Sequence, residues 1–190
     1  MDENMANWSG ENLLEESETM KKSYHVKFLT NKPEDIDLAE AVCKKCEDYY
    51  KLEKGRTATR EDAAAVILGL PEGKTRYDKF AMAILDEANT PIGLIDIVAD
   101  YPKTGEWIIG LLLLVPEARN GGMGRVLHEV IREWAQDSGA DSLRVGVLKS
   151  NRSAAGFWRH LGYEHQGDKT IQVGGRENEV EVLTRKIDKA

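Results

Sequence analysis

Basic residues are in short supply in this chain. It has 26 Lys and Arg against 33 Asp and Glu over 190 residues, for a net charge of −7. Residues 1–19 carry Asp2, Glu3, Glu11, Glu15, Glu16 and Glu18 with no Lys or Arg, so they hold −6 of that charge and leave the remainder near neutral at −1. Without a basic cluster the chain has nothing to neutralise a phosphate backbone, which excludes nucleic acid as a principal partner. Long apolar runs are missing too. The longest falls far below the roughly 18 residues of a membrane span, and the first residues lack the basic start and apolar stretch of a secretory leader. These absences predict a cytoplasmic protein with no membrane partner.

Cysteine occurs only twice, as Cys43 and Cys46. Their Cys-x-x-Cys spacing allows a redox or zinc pair, with His160 and His165 as further ligands, but no finger-like spacing accompanies it. Ala39, Val42, Cys43, Cys46, Tyr49 and Tyr50 fall on one helical stripe, so both thiols are expected to pack as small apolar groups, with no metal. Two phosphate-loop patterns also fail on the letters. Gly122-x-Gly124 is followed by Leu127 where a dinucleotide fingerprint needs a third glycine. Gly69-Leu70-Pro71-Glu72-Gly73-Lys74-Thr75 is one residue short of a nucleotide P-loop and follows a helical pattern, which makes it a turn.

What the chain does have is an apolar fraction of 41% and enough length to bury roughly 70% of its unfolded surface in one core. The acidic segment 1–19 is expected to be a flexible extension, followed by a single domain over 20–190. A strand is predicted over Tyr24–Thr30, helices over Pro33–Lys54 and Thr59–Leu70, and a hairpin of Phe80–Leu85 with Ile92–Val98. Two further strands are expected to meet near Gly174-Gly175. The total is an α/β (α+β) domain with a mixed, mostly antiparallel sheet of about seven strands and about four helices.

The richest stretch is Trp107–Val115, a short apolar run that reads as a strand buried on both faces and breaks at Pro116. Arg119-Asn120-Gly121-Gly122-Met123-Gly124-Arg125 follows and opens a helix whose apolar stripe is Val126, Leu127, Val130, Ile131 and Trp134, with His128 on the polar, solvated side. Glycines before a helix start let an anion approach its unpaired amides. After Gly139 come a strand over Leu143–Leu148 and a short helix opened by Asn151 and ended by Gly162.

Arg119, Gly122 and Gly124 fit an Arg/Gln-x-x-Gly-x-Gly/Ala loop. Asn151, Ala154, Phe157, Gly162 and Tyr163 fit an Asn-x-x-Ala-x-x-Phe-Tyr helix with its Gly-Tyr continuation. In these two signatures, from about residue 91 onward, the chain resembles the GCN5-related N-acetyltransferase superfamily. The resemblance implies acetyl-CoA as donor. Its pyrophosphate would lie on the amides of Asn120 to Arg125, with Arg119 and Arg125 adding charge. Its pantetheine arm would enter a splay between the fourth and fifth strands beside Leu113, Leu114 and Val115, and Asn151, Ala154 and Phe157 would line the other wall. The N–H near Leu114 would polarise the thioester carbonyl.

The family's usual acid, a tyrosine in the last helix, is Trp158 here, which leaves Tyr163 or water for that role. Asp96, alone among the apolar residues of Ile92–Val98, and Glu106, at the start of the central strand, are candidate bases or cation anchors. Their alternatives are a satisfied buried carboxylate and a solvated strand end. Tyr101 and Trp107 are candidates to shape the acceptor pocket. The expected activity is direct acetyl transfer to a small-molecule amine. An acyl-CoA-binding sensor and a protein or peptide N-acetyltransferase are the alternatives, and a homodimer is compatible with either.

Overall fold

A computed structural model describes residues 23–188. The acidic segment 1–19 lies outside the described residues. One seven-stranded sheet forms the body, built from β1 (Tyr24–Phe28), β2 (Lys79–Asp86), β3 (Pro91–Val98), β4 (Glu106–Leu114), β5 (Ser142–Leu148), β6 (Glu164–Val173) and β7 (Arg176–Lys186). Their spatial order is β1-β2-β3-β4-β5-β7-β6. Only β4 and β5 run parallel, because a parallel neighbour needs a crossover, supplied here by helix α4 (Met123–Asp137). The remaining helices are α1 (Pro33–Lys45), α2 (Glu47–Lys54), α3 (Arg60–Leu68) and α5 (Arg152–His160).

The described residues therefore form five helices where about four were expected. The predicted single helix Pro33–Lys54 divides at Cys46, whose φ of −97° and ψ of 45° leave the helical region. The break lets α2 turn away from α1 while the Cys46 side chain stays fully buried. Both thiols pack as expected, fully buried and unpaired with each other. Helix α3 starts as read, with a reciprocal capping box between Thr59 and Asp62.

The sheet has a core on each face. Ile84, Ile95, Ile97, Ile109, Leu143, Val145 and Leu183 face α4 and α5, while Ala81, Ala83, Leu94 and Leu113 face α1 and α3. One-residue alternation holds on β4 up to Gly110, then slips: Asp96 lies opposite Leu111 and Ile97 opposite Ile109, so Gly110 is an extra, bulged residue. Trp107 and Ile109 face α4, and beyond the bulge Leu112 and Leu114 take over that face. The strand is not buried throughout as expected, because Gly110 is exposed and Leu111 and Leu112 are half-buried.

On α4 the inward stripe is rotated from the predicted one. Val126 is 44% exposed, whereas Ile131, Ala135 and His128 are buried, His128 completely. His128 was expected in solvent, yet it shares the 3- and 4-residue spacing of Ile131 and Ala135 and so turns with them into the core.

Candidate active site

Strands β4 and β5 pair from Glu106 with Ser142 to Ile109 with Val145 and then part. Beyond that point β4 stays on β3 up to Leu114, and β5 stays on β7 up to Leu148. The result is a V-shaped opening with its apex at Gly110 and Gly146, both exposed. Val115 donates its N–H to Ile92 O at 2.9 Å. Alternation along the antiparallel ladder therefore turns the peptide groups of Leu113 and Leu111 toward β3, and those of Leu112 and Leu114 into the opening. The expected trio of Leu113, Leu114 and Val115 is corrected accordingly: Leu113 and Val115 serve the sheet, and Leu112, hidden from sequence reasoning by the bulge, joins Leu114.

Above the open end, Asn120 and Gly122 both take positive φ, 62° and 84°. Gly122 caps α4 without a side-chain hydrogen bond. The amides of the first turn therefore point outward with no capping group, at the positive end of the helix dipole. Arg125 N–H is the exception, donated to Gly122 O at 3.0 Å. Gly124 packs closely on α5, since a β-carbon there would lie 3.3 Å from Phe157 Cζ. Asn151 caps α5 by accepting from Ala154 N at 3.1 Å, and Ala154 and Phe157 are half-buried beside it.

Arg119 does not stand free for a pyrophosphate. Both of its terminal nitrogens bond Asp48 on α2, Nη2 to Oδ1 at 3.1 Å, and its Nε donates to Leu114 O at 2.8 Å. Asp48 holds the guanidinium charge firmly and is itself pulled below the usual carboxylate range by it. Cys46 Sγ donates to the same Leu114 carbonyl at 3.4 Å, and burial pushes this thiol up to about 11. Arg125, exposed in the first turn of α4, keeps its charge available.

Of the four acceptor-side candidates, only Asp96 lies at the apex. Glu106 sits at the opposite end of β4 from Leu114, roughly 25 Å away at the rise of a strand. It is not a solvated strand end but 4% exposed, ion-paired to Arg144 Nη1 at 2.6 Å. Trp107 belongs to the core, in ring contact with Phe80 and Trp134. Tyr101 lies in the β3–β4 turn, its N–H on Glu106 O at 2.7 Å.

Tyr163, the candidate acid, lies in the core. It is 3% exposed, its hydroxyl lies 3.1 Å from His128 Nε2, and burial raises its pKa well above that of an ordinary phenol. Trp158, 7% exposed, is in ring contact with Phe157, His128 and Tyr163.

Helix α2 crosses the opening. Arg119 ties it to the β4 side, and Asn178 Nδ2 on β7 donates to Glu53 O at 3.0 Å on the other. Beside it lies a cavity of about 310 Å³ lined by Leu52, Lys149, Ser150, Arg176 and Asn178, among others. Asp48 and Asn178 escaped sequence reasoning because nothing local marks a contact made across the fold.

An uncapped helix start above a cleft of unpaired peptide groups defines a protein that holds an anion at one end and an amide-bearing chain along its length. Residues 38–163 match the acetyltransferase (GNAT) family, and the chain belongs to it. No curated protein matches it in sequence. Among solved structures it is similar to an acetyltransferase from Thermus thermophilus, at 21% identity with a TM-score of 0.63 over 85% of this chain and 96% of that one. It is similar as well to the spermidine N-acetyltransferase of Vibrio cholerae in complex with CoA and spermine, at 12% identity with a TM-score of 0.64 over 86% and 95%. A third is the ribosomal-protein-S18-alanine N-acetyltransferase of Escherichia coli, at 13% identity with a TM-score of 0.63 over 88% and 96%. These likenesses establish the fold, and the family establishes an acetyltransferase that uses acetyl-CoA. The residues present fit that donor. The free amides of Gly122 to Gly124 suit its pyrophosphate, and the Leu112 peptide group and the Leu114 N–H suit the amides of its pantetheine arm, the Leu114 carbonyl being taken by Arg119 and Cys46.

Proposed function

We propose that the chain moves an acetyl group from acetyl-CoA directly to the amine of a small molecule, with both substrates bound at once. The bound donor supplies an acetyl thioester whose carbonyl carbon is the electrophile. The amides at the start of α4 hold the pyrophosphate, and Arg125 adds charge. Leu112 and Leu114 align the arm, and the Leu112 N–H, nearer the apex, is the donor best placed for charge developing on the carbonyl oxygen. No side-chain acid is assigned. A thiol pKa of roughly 8.5 lets the thiolate leave with water as its proton source.

The observation that carries this reading is the parting of β4 and β5 beneath the uncapped helix. A small acceptor is supported by α2, which bridges the opening between Arg119 and Asn178 and narrows the way in for an extended chain. The test is coenzyme A release with a panel of primary amines and, in parallel, peptides with free N-termini. Turnover confined to the amines supports the reading. Turnover confined to peptides overturns the small-acceptor part, and saturable acetyl-CoA binding with no turnover on either overturns catalysis in favour of a sensor.

A further inference from the structure

At the apex of the opening Asp96 has one oxygen in use and one idle. Its Oδ1 accepts from Lys79 Nζ at 2.6 Å. Its Oδ2 has no protein partner among the described residues and faces the bulge, where a β-carbon added at Gly110 would lie 3.0 Å away. The pair sits on the α1/α3 face of the sheet, by alternation from Ile95 and Ile97 on β3 and from Phe80 and Met82 on β2. The Lys79 side chain is 5% exposed and that of Asp96 17%, so the lysine is sealed in and the carboxylate is reachable. A buried ion pair of this kind costs desolvation that a purely structural role recovers only when every polar atom is matched. Here one acceptor is left open, beside the exposed residue where β4 leaves β5.

We infer that Asp96 and Lys79 form the acceptor-amine subsite, in which Asp96 Oδ2 orients the incoming amine and the Lys79 charge offsets part of the carboxylate's hold on the amine's proton, easing its loss to water. This rests on the function proposed above. An ammonium on Oδ2 would lie roughly 5 to 6 Å from Lys79 Nζ at ordinary hydrogen-bond lengths. At that range a fixed like charge offsets part of the stabilisation that the nearer Asp96 carboxylate gives the protonated form, and so lowers the cost of deprotonation relative to a lone carboxylate. The ammonium proton passes to water. The neutral nitrogen then forms the N–C bond as C–S breaks, the thiolate leaves with the electron pair, and the second N–H proton goes to water. Charged groups on β1 and from α1 to α3 form pairs of their own, Lys27 with Asp35, Lys54 and Arg56 with Asp62, and Arg60 with Asp37 and Glu40. Glu106 and Arg144 pair with each other, and Asp78, next to Lys79, is held by Thr75 and Lys74. Burial raises the Asp96 carboxyl and Lys79 opposes that rise.

The experiment measures acetyl-CoA affinity, thermal stability and steady-state kinetics for wild type, Asp96→Asn, Lys79→Met and Lys79→Arg. The acceptor is whichever of butylamine, phenethylamine, putrescine and glycinamide turns over fastest. Acetyl-CoA affinity is expected to stay within twofold throughout. Asp96→Asn should lower kcat/KM for the amine about 100-fold, chiefly through KM. Lys79→Met should move the acidic limb of kcat at least one unit to higher pH, and Lys79→Arg should restore it. A wild-type KM in Asp96→Asn, or an unmoved limb in Lys79→Met, overturns the inference, as does a loss confined to melting temperature. Failure of wild type to bind acetyl-CoA, or to acetylate any of these amines, overturns the underlying reading and this one with it.

Discussion

Arg119 and Asp48, 71 residues apart in the chain, form a two-pronged ion pair that joins the glycine loop to α2. Because Arg119 Nε also holds Leu114 O, one guanidinium fixes the end of β4, the loop before α4 and the helix across the opening. Asp48→Ala should free α2 and raise the acceptor KM several-fold, while acetyl-CoA affinity by calorimetry changes less than twofold. The side chains are 31% and 57% exposed, so the stability cost should stay below about 1 kcal/mol. An unchanged KM would show that α2 holds its place without this pair.

Gly124 packs closely against Phe157, and a β-carbon there would crowd the ring at 3.3 Å. Gly124→Val should displace the Phe157 ring or the start of α4 and weaken acetyl-CoA at least tenfold by calorimetry. The overpacking should cost about 1–3 kcal/mol of stability. Wild-type affinity in this variant would mean that the amides of this turn do not set binding.

Tyr163→Phe separates structure from catalysis. Removing the hydroxyl strands His128 Nε2 in a fully buried ring, at a cost of about 1–3 kcal/mol. Urea unfolding should record that loss, and kcat should hold within twofold. A hundredfold fall in kcat would return Tyr163 to the role of acid that the sequence suggested for it.

The same cluster sets a pH dependence. Burial lowers the His128 pKa below its usual value despite the nearby Glu129. The unfolded chain therefore takes up a proton near pH 6.5 that the folded chain refuses, and stability falls as pH drops through that range. Burial would raise Glu129, but Arg132, His128 and Arg185 hold it at about 2. Its contribution is present above about pH 4.5 and is lost between 4.5 and 2. Urea midpoints from pH 8 to 4 should show the first decline in wild type and lose it in His128→Gln. A flat wild-type profile would contradict the assignment.

The two cysteines give a simpler check. With Cys46 pushed up to about 11 and both side chains fully buried, a thiol reagent should label neither in the folded protein at pH 7 and both in urea. Rapid labelling of the folded protein would contradict the packing around the α1–α2 break.

The loop and its two flanking strands were legible in the letters because glycine spacing, an abrupt Pro116 and a period change from two to 3.6 all lie within thirty residues. Asn151 was readable as a cap for the same reason. The acceptor side was not. Asp96 stood out as a charge in an apolar strand, but its partner Lys79 is set by β2–β3 register, which no local pattern fixes. Glu106, Tyr101 and Trp107 were grouped with the site because they flank the central strand, and only its length shows them to be at the wrong end. His128 was misplaced because its neighbours Arg125, Glu129 and Arg132 are polar, although its spacing to Ile131 and Ala135 carried the right signal. The Gly110 bulge, which decides whether Leu112 or Leu113 faces the opening, has no sequence signature beyond a lone glycine in a strand.

The most direct test of the central claim is a calorimetric titration of wild type and Gly124→Val with acetyl-CoA, with adenosine as a control. Saturable micromolar binding of acetyl-CoA by wild type, at least tenfold weaker in the variant and absent with adenosine, is the predicted result. Equal binding by both proteins, or none by wild type, would contradict the claim that the α4 amides and the β4–β5 opening hold the donor.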